Sequence, residues 1–143
     1  GCSRRASLVP LFDKRTFDFT NITPGIAAPN TLDVVLFPAL CVLGFYRVKI
    51  VVRVHALTVS NANQSISLLA YGTMPSEEDP TVEFLSPSQF LQVTLDDDTG
   101  APSLASATAT DPDPHLKILI RASTSNSGTL SATLSACLLL LES

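Results

Sequence analysis

The stretch YRVKIVVRV, residues 46–54, decides the fold: Tyr46, Val48, Ile50, Val52 and Val54 occupy one set of alternate positions, and Arg47, Lys49, Val51 and Arg53 occupy the other. Successive side chains of a strand point to opposite faces, so the pattern predicts one long strand across residues 44–60 with a packed face and a basic face. It specifies architecture more than function, because no catalytic motif accompanies it.

Working outward, the same period of two recurs along the chain. Residues 8–12 read as a short edge strand, and residues 16–22 set Phe17 and Phe19 against Thr16, Asp18 and Thr20. Residues 31–37 are almost continuously apolar, which predicts a strand buried on both faces and ended by Pro38. Downstream of the basic strand, SNAN at residues 60–63 is a turn, and residues 64–71 return with Ile66, Leu68 and Ala70 on one side, which predicts a hairpin. Short strands are expected at residues 82–85, 90–95 and 103–110. Residues 115–122 then carry Leu116, Ile118 and Ile120 inward, with Lys117 and Arg121 outward. The closing strand, residues 129–141, has Leu130, Ala132, Leu134, Ala136, Leu138 and Leu140 inside. Its outer set begins with Ser and Thr and turns to Cys137, Leu139 and Leu141, so its second half needs cover on both sides.

Helical periodicity is absent. About eight strands separated by Pro, Ser, Asn and Gly turns predict an all-β fold, an antiparallel β-sandwich of the jelly-roll kind. An immunoglobulin-like sandwich ranks second, weakened by the absence of Trp and of a spaced cysteine pair. The expected organisation is a flexible basic N-terminal arm at residues 1–7, then one sandwich domain at residues 8–143.

Composition narrows the function class. Of 143 residues 45% are apolar but only 15% charged, against about 25% charged in an ordinary soluble domain. A neutral Ser/Thr/Val-rich surface of this kind is expected to be covered by self-association or by docking on a larger assembly. The net charge of −4 argues against nucleic acid as partner. The longest apolar run near the end, residues 136–141, is far below the roughly 20 residues a membrane helix requires, so no membrane span is expected. Three cysteines are an odd count; Cys41 and Cys137 stand in apolar surroundings and read as buried thiols. Cys2 in GCSRR reads as part of the basic arm, with a truncated lipobox, an acylated start or a cloning remnant as the alternatives.

The chemistry-bearing clusters divide into one candidate surface and several weaker signals. Arg47, Lys49 and Arg53, extended by His55, form a stripe with about 7 Å between neighbours, a spacing that meets carboxylates or phosphates. Glu77, Glu78 and Asp79 of another copy, or Asp96 to Asp98, would complement it. Asp96, Asp97 and Asp98 with Asp111 and Asp113 could offer oxygen ligands to calcium, but DDDTG and DPDP are also ordinary turn chemistry and match no EF-hand, so no metal and no cofactor is assigned. Only His55 and His115 are available for acid–base work, and no G-x-S-x-G or H-E-x-x-H occurs, so no catalytic residue is assigned and the chain reads as non-enzymatic. The aromatic residues fall on core positions rather than on a sugar-stacking platform. The sequons at Asn21 and Asn63 lie in expected turns.

The strand pattern, the loop PSEEDPTVEF at residues 75–84 and the Leu-rich closing strand together resemble the small jelly-roll accessory or decoration proteins of tailed-phage heads, over residues 31–141. No functional residue of that class is carried over. The resemblance implies assembly: copies that associate as trimers or larger species and sit on a capsid or other particle shell, with the protein located in the virion of a bacteriophage. The alternative is a carbohydrate-binding or adhesion module of a secreted or cell-surface protein.

Overall fold

The computed structural model describes residues 6–20, 30–60, 62–73, 88–124 and 128–142. Among them lie eight strands and no helix: β1 (Ala6–Asp18), β2 (Asn30–Cys41), β3 (Arg47–Val59), β4 (Gln64–Thr73), β5 (Ser88–Leu95), β6 (Ser103–Thr110), β7 (His115–Thr124) and β8 (Leu130–Leu141). They form two antiparallel four-stranded sheets. Sheet A has the order β1-β8-β3-β6, and sheet B has the order β2-β7-β4-β5. First strand pairs with last, second with seventh, third with sixth, and fourth with fifth. That nesting is a long antiparallel ribbon wrapped over itself, the jelly roll expected from the sequence.

Period-two patterning builds the core as anticipated. Val48, Ile50, Val52 and Val54 on β3 and the six inward residues of β8 are all buried, and they face Ile66, Leu68 and Ala70 of β4 with Leu116, Ile118 and Ile120 of β7. Phe17 and Phe19 close one side, stacked with ring centroids 6.5 Å apart. Each fully buried Leu or Ile contributes about 1.5–3 kcal/mol, so these four strands dominate the apolar stabilisation.

Several expectations need correction. Residues 60–63 do not make a hairpin, because β3 belongs to sheet A and β4 to sheet B, so the turn carries the chain from one sheet to the other. Alternation states which face is buried but not which strand is the neighbour, and both strands of an arch need an inward apolar face. Residues 31–37 are not buried on both faces: β2 is an edge strand, Leu32 and Val35 stay about half exposed, and the strand runs through Pro38 to Cys41. An edge tolerates the missing N–H of proline, and irregularities on both sides of Phe37 mark the accommodation. Cys41 on that edge is exposed rather than buried, Cys137 is half-buried, and both are free thiols. Tyr46, placed on the packed face by its parity, precedes β3 and is 51% exposed.

The two expected segments at residues 8–12 and 16–22 form one strand, β1, broken by irregularities between Pro10 and Phe12 and between Phe12 and Arg15. Residues 1–5 of the expected arm and the strand expected at 82–85 lie outside the described residues, and β1 already includes Ala6 and Ser7, paired with Leu141 and Leu140. A bulge at His55 interrupts β3. Up to Val54 the even-numbered residues face the core; beyond it Leu57 and Val59 turn inward while Ala56 and Thr58 are exposed.

Ile50 and Leu138 lie directly opposite each other at the centre of sheet A, both with no exposed surface. Leu138→Ala is expected to cost about 2–5 kcal/mol in urea unfolding. Leu8→Ala, at a side chain 64% exposed, should change stability by about 0.5 kcal/mol or less.

Candidate functional site

The two outer faces of the sandwich are built differently. On sheet A the strand registers set out four rows. Ala6, Leu141, Arg47 and Thr110 form the first; Leu8, Leu139, Lys49 and Thr108 the second; Pro10, Cys137, Val51 and Ser106 the third. The fourth brings together Ser135, Arg53 and Leu104. These rows are apolar over β1 and β8, basic along β3 and neutral along β6; the same face also carries Asp13, beside Ser135 and lining one concavity with Arg53, and Asp18 opposite Ser131. Leu8 and Leu104 are 64% and 65% exposed. No ion pair engages Arg47, Lys49 or Arg53 among the described residues. The stripe expected from the sequence thus lies on one open face.

Beside Arg53 the face dips into a concavity of about 680 Å³, lined by Lys14, Val51, Arg53, His55, Leu104 and Ser135 among others. At its rim the irregularities of two neighbouring strands meet β8 at the same level. Asp13 and Lys14 fill the irregularity of β1 beside Ser135, and His55 is the bulged residue of β3 on the other side. Lys14 adopts a left-handed conformation, φ 49°, which turns its backbone N–H onto the Ser135 hydroxyl oxygen at 2.9 Å. The Ser135 hydroxyl donates to the Asp13 carboxylate at 2.7 Å, and His55 Nε2 lies 2.8 Å from the same oxygen. With the serine proton committed to Asp13, Nε2 must carry the proton of the His55 contact.

Serine, histidine and aspartate are thus together, but in the wrong sequence for nucleophilic catalysis. A triad needs the imidazole between serine and carboxylate, accepting the serine proton; here the carboxylate takes that proton directly and the imidazole donates. The cluster ties the two irregularities to β8 and leaves the hydroxyl unactivated.

Sheet B presents a closed outer face. Arg121 on β7 forks onto Asp33 of β2 with contacts of 2.7 and 2.9 Å, and its third nitrogen donates to the Tyr71 hydroxyl of β4 at 2.9 Å. The Arg121 hydrogen bonds hold the Asp33 carboxyl below its ordinary value, and burial opposes this only in part. The same pairing raises the guanidinium further. Leu69 and Leu119, which alternation points outward on this sheet, are only 2% and 3% exposed. Arg121 has its carboxylate partner on its own sheet, whereas among the described residues no ion pair engages Arg47, Lys49 or Arg53 of sheet A.

Other sequence candidates separate. Glu77, Glu78 and Asp79 lie outside the described residues. Asp96, Asp97 and Asp98 bring one oxygen each within 4.8 Å of the others, in the turn after β5. Asp111 and Asp113 follow the far end of β6, whose eight residues span roughly 26 Å, so the five carboxylates do not form one calcium site. The Asp98 N–H donates to the Asp96 carboxylate at 3.0 Å, which is turn chemistry. His115 is not held by Asp113: its Nδ1 is buried with no hydrogen-bond partner, and Asp113 lies against Gly72 instead. Among the described exposed large apolar residues Tyr46 alone is aromatic, so no stacking platform forms. Asp13 and Lys14 gave no signal in sequence, because an irregularity rather than alternation places them; alternation puts Ser135 on the outer face of β8 but does not show what it bonds. Leu104 could have been found as the lone large apolar residue of an otherwise small and polar strand, whereas Leu8 stands in the apolar run LVPLF.

No protein-family model matches the chain, and no curated protein matches it. Among solved structures the chain is similar to the crystal structure of the VP2 subviral particle of infectious bursal disease virus, with 15% identity and a TM-score of 0.55 over 97% of this chain and 33% of that one. A structure of the Gt strain of the same virus aligns with 12% identity and a TM-score of 0.29, over 97% of this chain and 42% of that one, too low to carry an argument. The VP2 likeness is one of fold, to a viral structure though not to a tailed-phage protein, and the chain spans about a third of the VP2 chain's length.

Ser135→Ala removes the hydroxyl shared by Asp13, Lys14 and His55 and is expected to cost about 1–2 kcal/mol in chemical denaturation. Asp33→Asn should cost about 1 kcal/mol at pH 7, a modest value because the pair is part-exposed and screened. Because Asp33 titrates in the folded state below its reference of 3.8, the ionised pair contributes fully above about pH 5 and is lost as pH falls through the folded value. The stability difference between Asp33→Asn and the parent should therefore shrink steadily from pH 5 to pH 2.

Proposed function

We propose that the protein is a non-enzymatic structural component of a viral particle, a capsid accessory or decoration protein that self-associates and docks on a shell. The observation that carries this reading is the open outer face of sheet A, where, among the described residues, no ion pair engages Arg47, Lys49 or Arg53 and Leu8 and Leu104 stand exposed. A face both apolar and basic is suited to a partner supplying apolar contact and negative charge together. The jelly-roll strand order and the likeness to a viral particle protein over 97% of the chain support the same reading.

In this reading residues 8–143 act as one assembly module, and the arm at residues 1–7 tethers it to a neighbour. Apolar burial between copies supplies affinity, and the cationic stripe sets the register against carboxylates of the partner, with Glu77, Glu78 and Asp79 or Asp96 to Asp98 of another copy as the complement. His55 shapes the rim through Ser135 rather than meeting the partner directly. The particle is that of a bacteriophage, and the species formed are trimers or larger.

Light scattering at about 10–100 µM should detect a species larger than the monomer, the range in which modest interfaces associate. Arg47→Glu combined with Arg53→Glu should abolish that species at low salt while leaving the β-sheet circular dichroism intact. An unchanged oligomer would remove the stripe from the assembly mechanism, and a wild-type chain monomeric at every concentration would reject self-association.

A further inference from the structure

Of the four edge strands, three carry devices that discourage pairing with another chain. β1 has Pro10, Lys14 and two irregularities; β2 has Pro38, Asp33 and two irregularities; the β4–β5 ladder shifts register between Ala70 and Tyr71. β6 has none. Its eight residues, SLASATAT, contain no charge, no proline and no side chain larger than Leu104, and they pair with β3 from Ser103↔Val54 to Thr110↔Arg47 without a shift. Its other side is the edge of sheet A. Strand edges expose unpaired N–H and C=O groups, and natural proteins protect them with charge, proline or bulges unless the edge is used.

We propose that β6 pairs antiparallel with β6 of a second copy, joining two sheets A into one continuous sheet. This names one contact of the self-association proposed above and rests on that reading. A second copy is the fitting occupant because the strand complements itself. With Ala107 opposite its own counterpart, Ala105 meets Ala109 on the core-facing side, while Ser106 meets Thr108 and Leu104 meets Thr110 on the outer side. Facing residues in an antiparallel pair share a face, so small residues meet small residues and the exposed Leu104 gains a methyl-bearing neighbour. The contact is two-fold and closed, with the same residues contributed by both copies. It places the two β3 stripes three strand spacings apart, about 14 Å, beyond the ~8–10 Å range of charge repulsion at physiological salt. The joined outer faces then offer one doubled basic surface to the shell.

Ser106→Lys with Thr108→Lys tests the pairing, since both side chains are exposed and lysine on an edge opposes strand addition. Sedimentation equilibrium should show the wild-type chain self-associating and the lysine variant shifted to a smaller species at the same concentration, with unchanged circular dichroism. A lysine variant that associates like wild type would overturn the β6 contact, while leaving self-association through the Arg47 stripe standing. A wild-type chain that never associates would overturn both. Should the lysine variant lose its sheet signal, Ala107→Cys in a chain with Cys2, Cys41 and Cys137 replaced by Ser decides instead. Oxidation to a covalent dimer supports the pairing, and a chain that stays monomeric overturns it.

Discussion

The pairing of β3 with β8 is the constraint on which the rest of the molecule depends. It places Val48, Ile50, Val52 and Val54 beside Leu140, Leu138, Ala136 and Leu134 at the middle of sheet A, and these face the apolar side of sheet B. The paired residues are separated by most of the chain, so their closure entropy is incurred before the contacts repay it, a condition that favours slow folding. The register also decides the surface. A slip of one residue would turn Arg47, Lys49 and Arg53 into the core and Val48, Ile50 and Val52 into solvent, a cost no surface contact could offset. Burial of one face of β3 thus holds the basic stripe in place on the other.

That coupling makes the contrast between the outer faces informative. Sheet B satisfies its charge internally: the Arg121 fork spans from β2 to β4, over a sheet whose outward Leu69 and Leu119 are already hidden. Sheet A has the same number of strands and the same kind of core face, yet among the described residues no ion pair engages its Arg47, Lys49 or Arg53, and Leu8 and Leu104 on its outer face are exposed. A chain that builds a clamp on one face has the means to build one on the other. Among the described residues, the outer face of sheet A is the one whose central-strand cations make no ion pair.

Much of the fold was legible because alternation is a direct consequence of strand geometry. The inward sets of β7 and β8 and of β3 up to Val54 stand where the pattern put them, and the short strand expected at residues 103–110 is β6. Pairing partners were not legible, since an arch and a hairpin place the same demand on the side chains of their two strands; residues 60–63 were misread for that reason. Edge position was equally hidden. The apolar run at residues 31–37 resembles a central strand, but only the sheet order shows Leu32 and Val35 at a rim. Of the candidate site, Arg47, Lys49, Arg53 and His55 and the outward position of Ser135 were visible, and Asp13 and Lys14 were not.

The hidden half of the site has a single physical origin. An irregularity adds a residue to one strand and changes the face on which everything beyond it falls, so a reading based on period two fails where one occurs. Here two occur at the same level on either side of β8, at Asp13–Lys14 and at His55, and both are tied to the one hydroxyl of Ser135. β8 stays regular between them, and its neighbours bend around that point. The concavity beside Arg53 lies at this level, lined by Asp13, Lys14, His55 and Ser135, and beyond His55 the exposed residues of β3 are Ala56 and Thr58. The stripe itself ends with the sequence, since no Lys or Arg follows Arg53 in β3, and the irregularities held by Ser135 lie at that end of it.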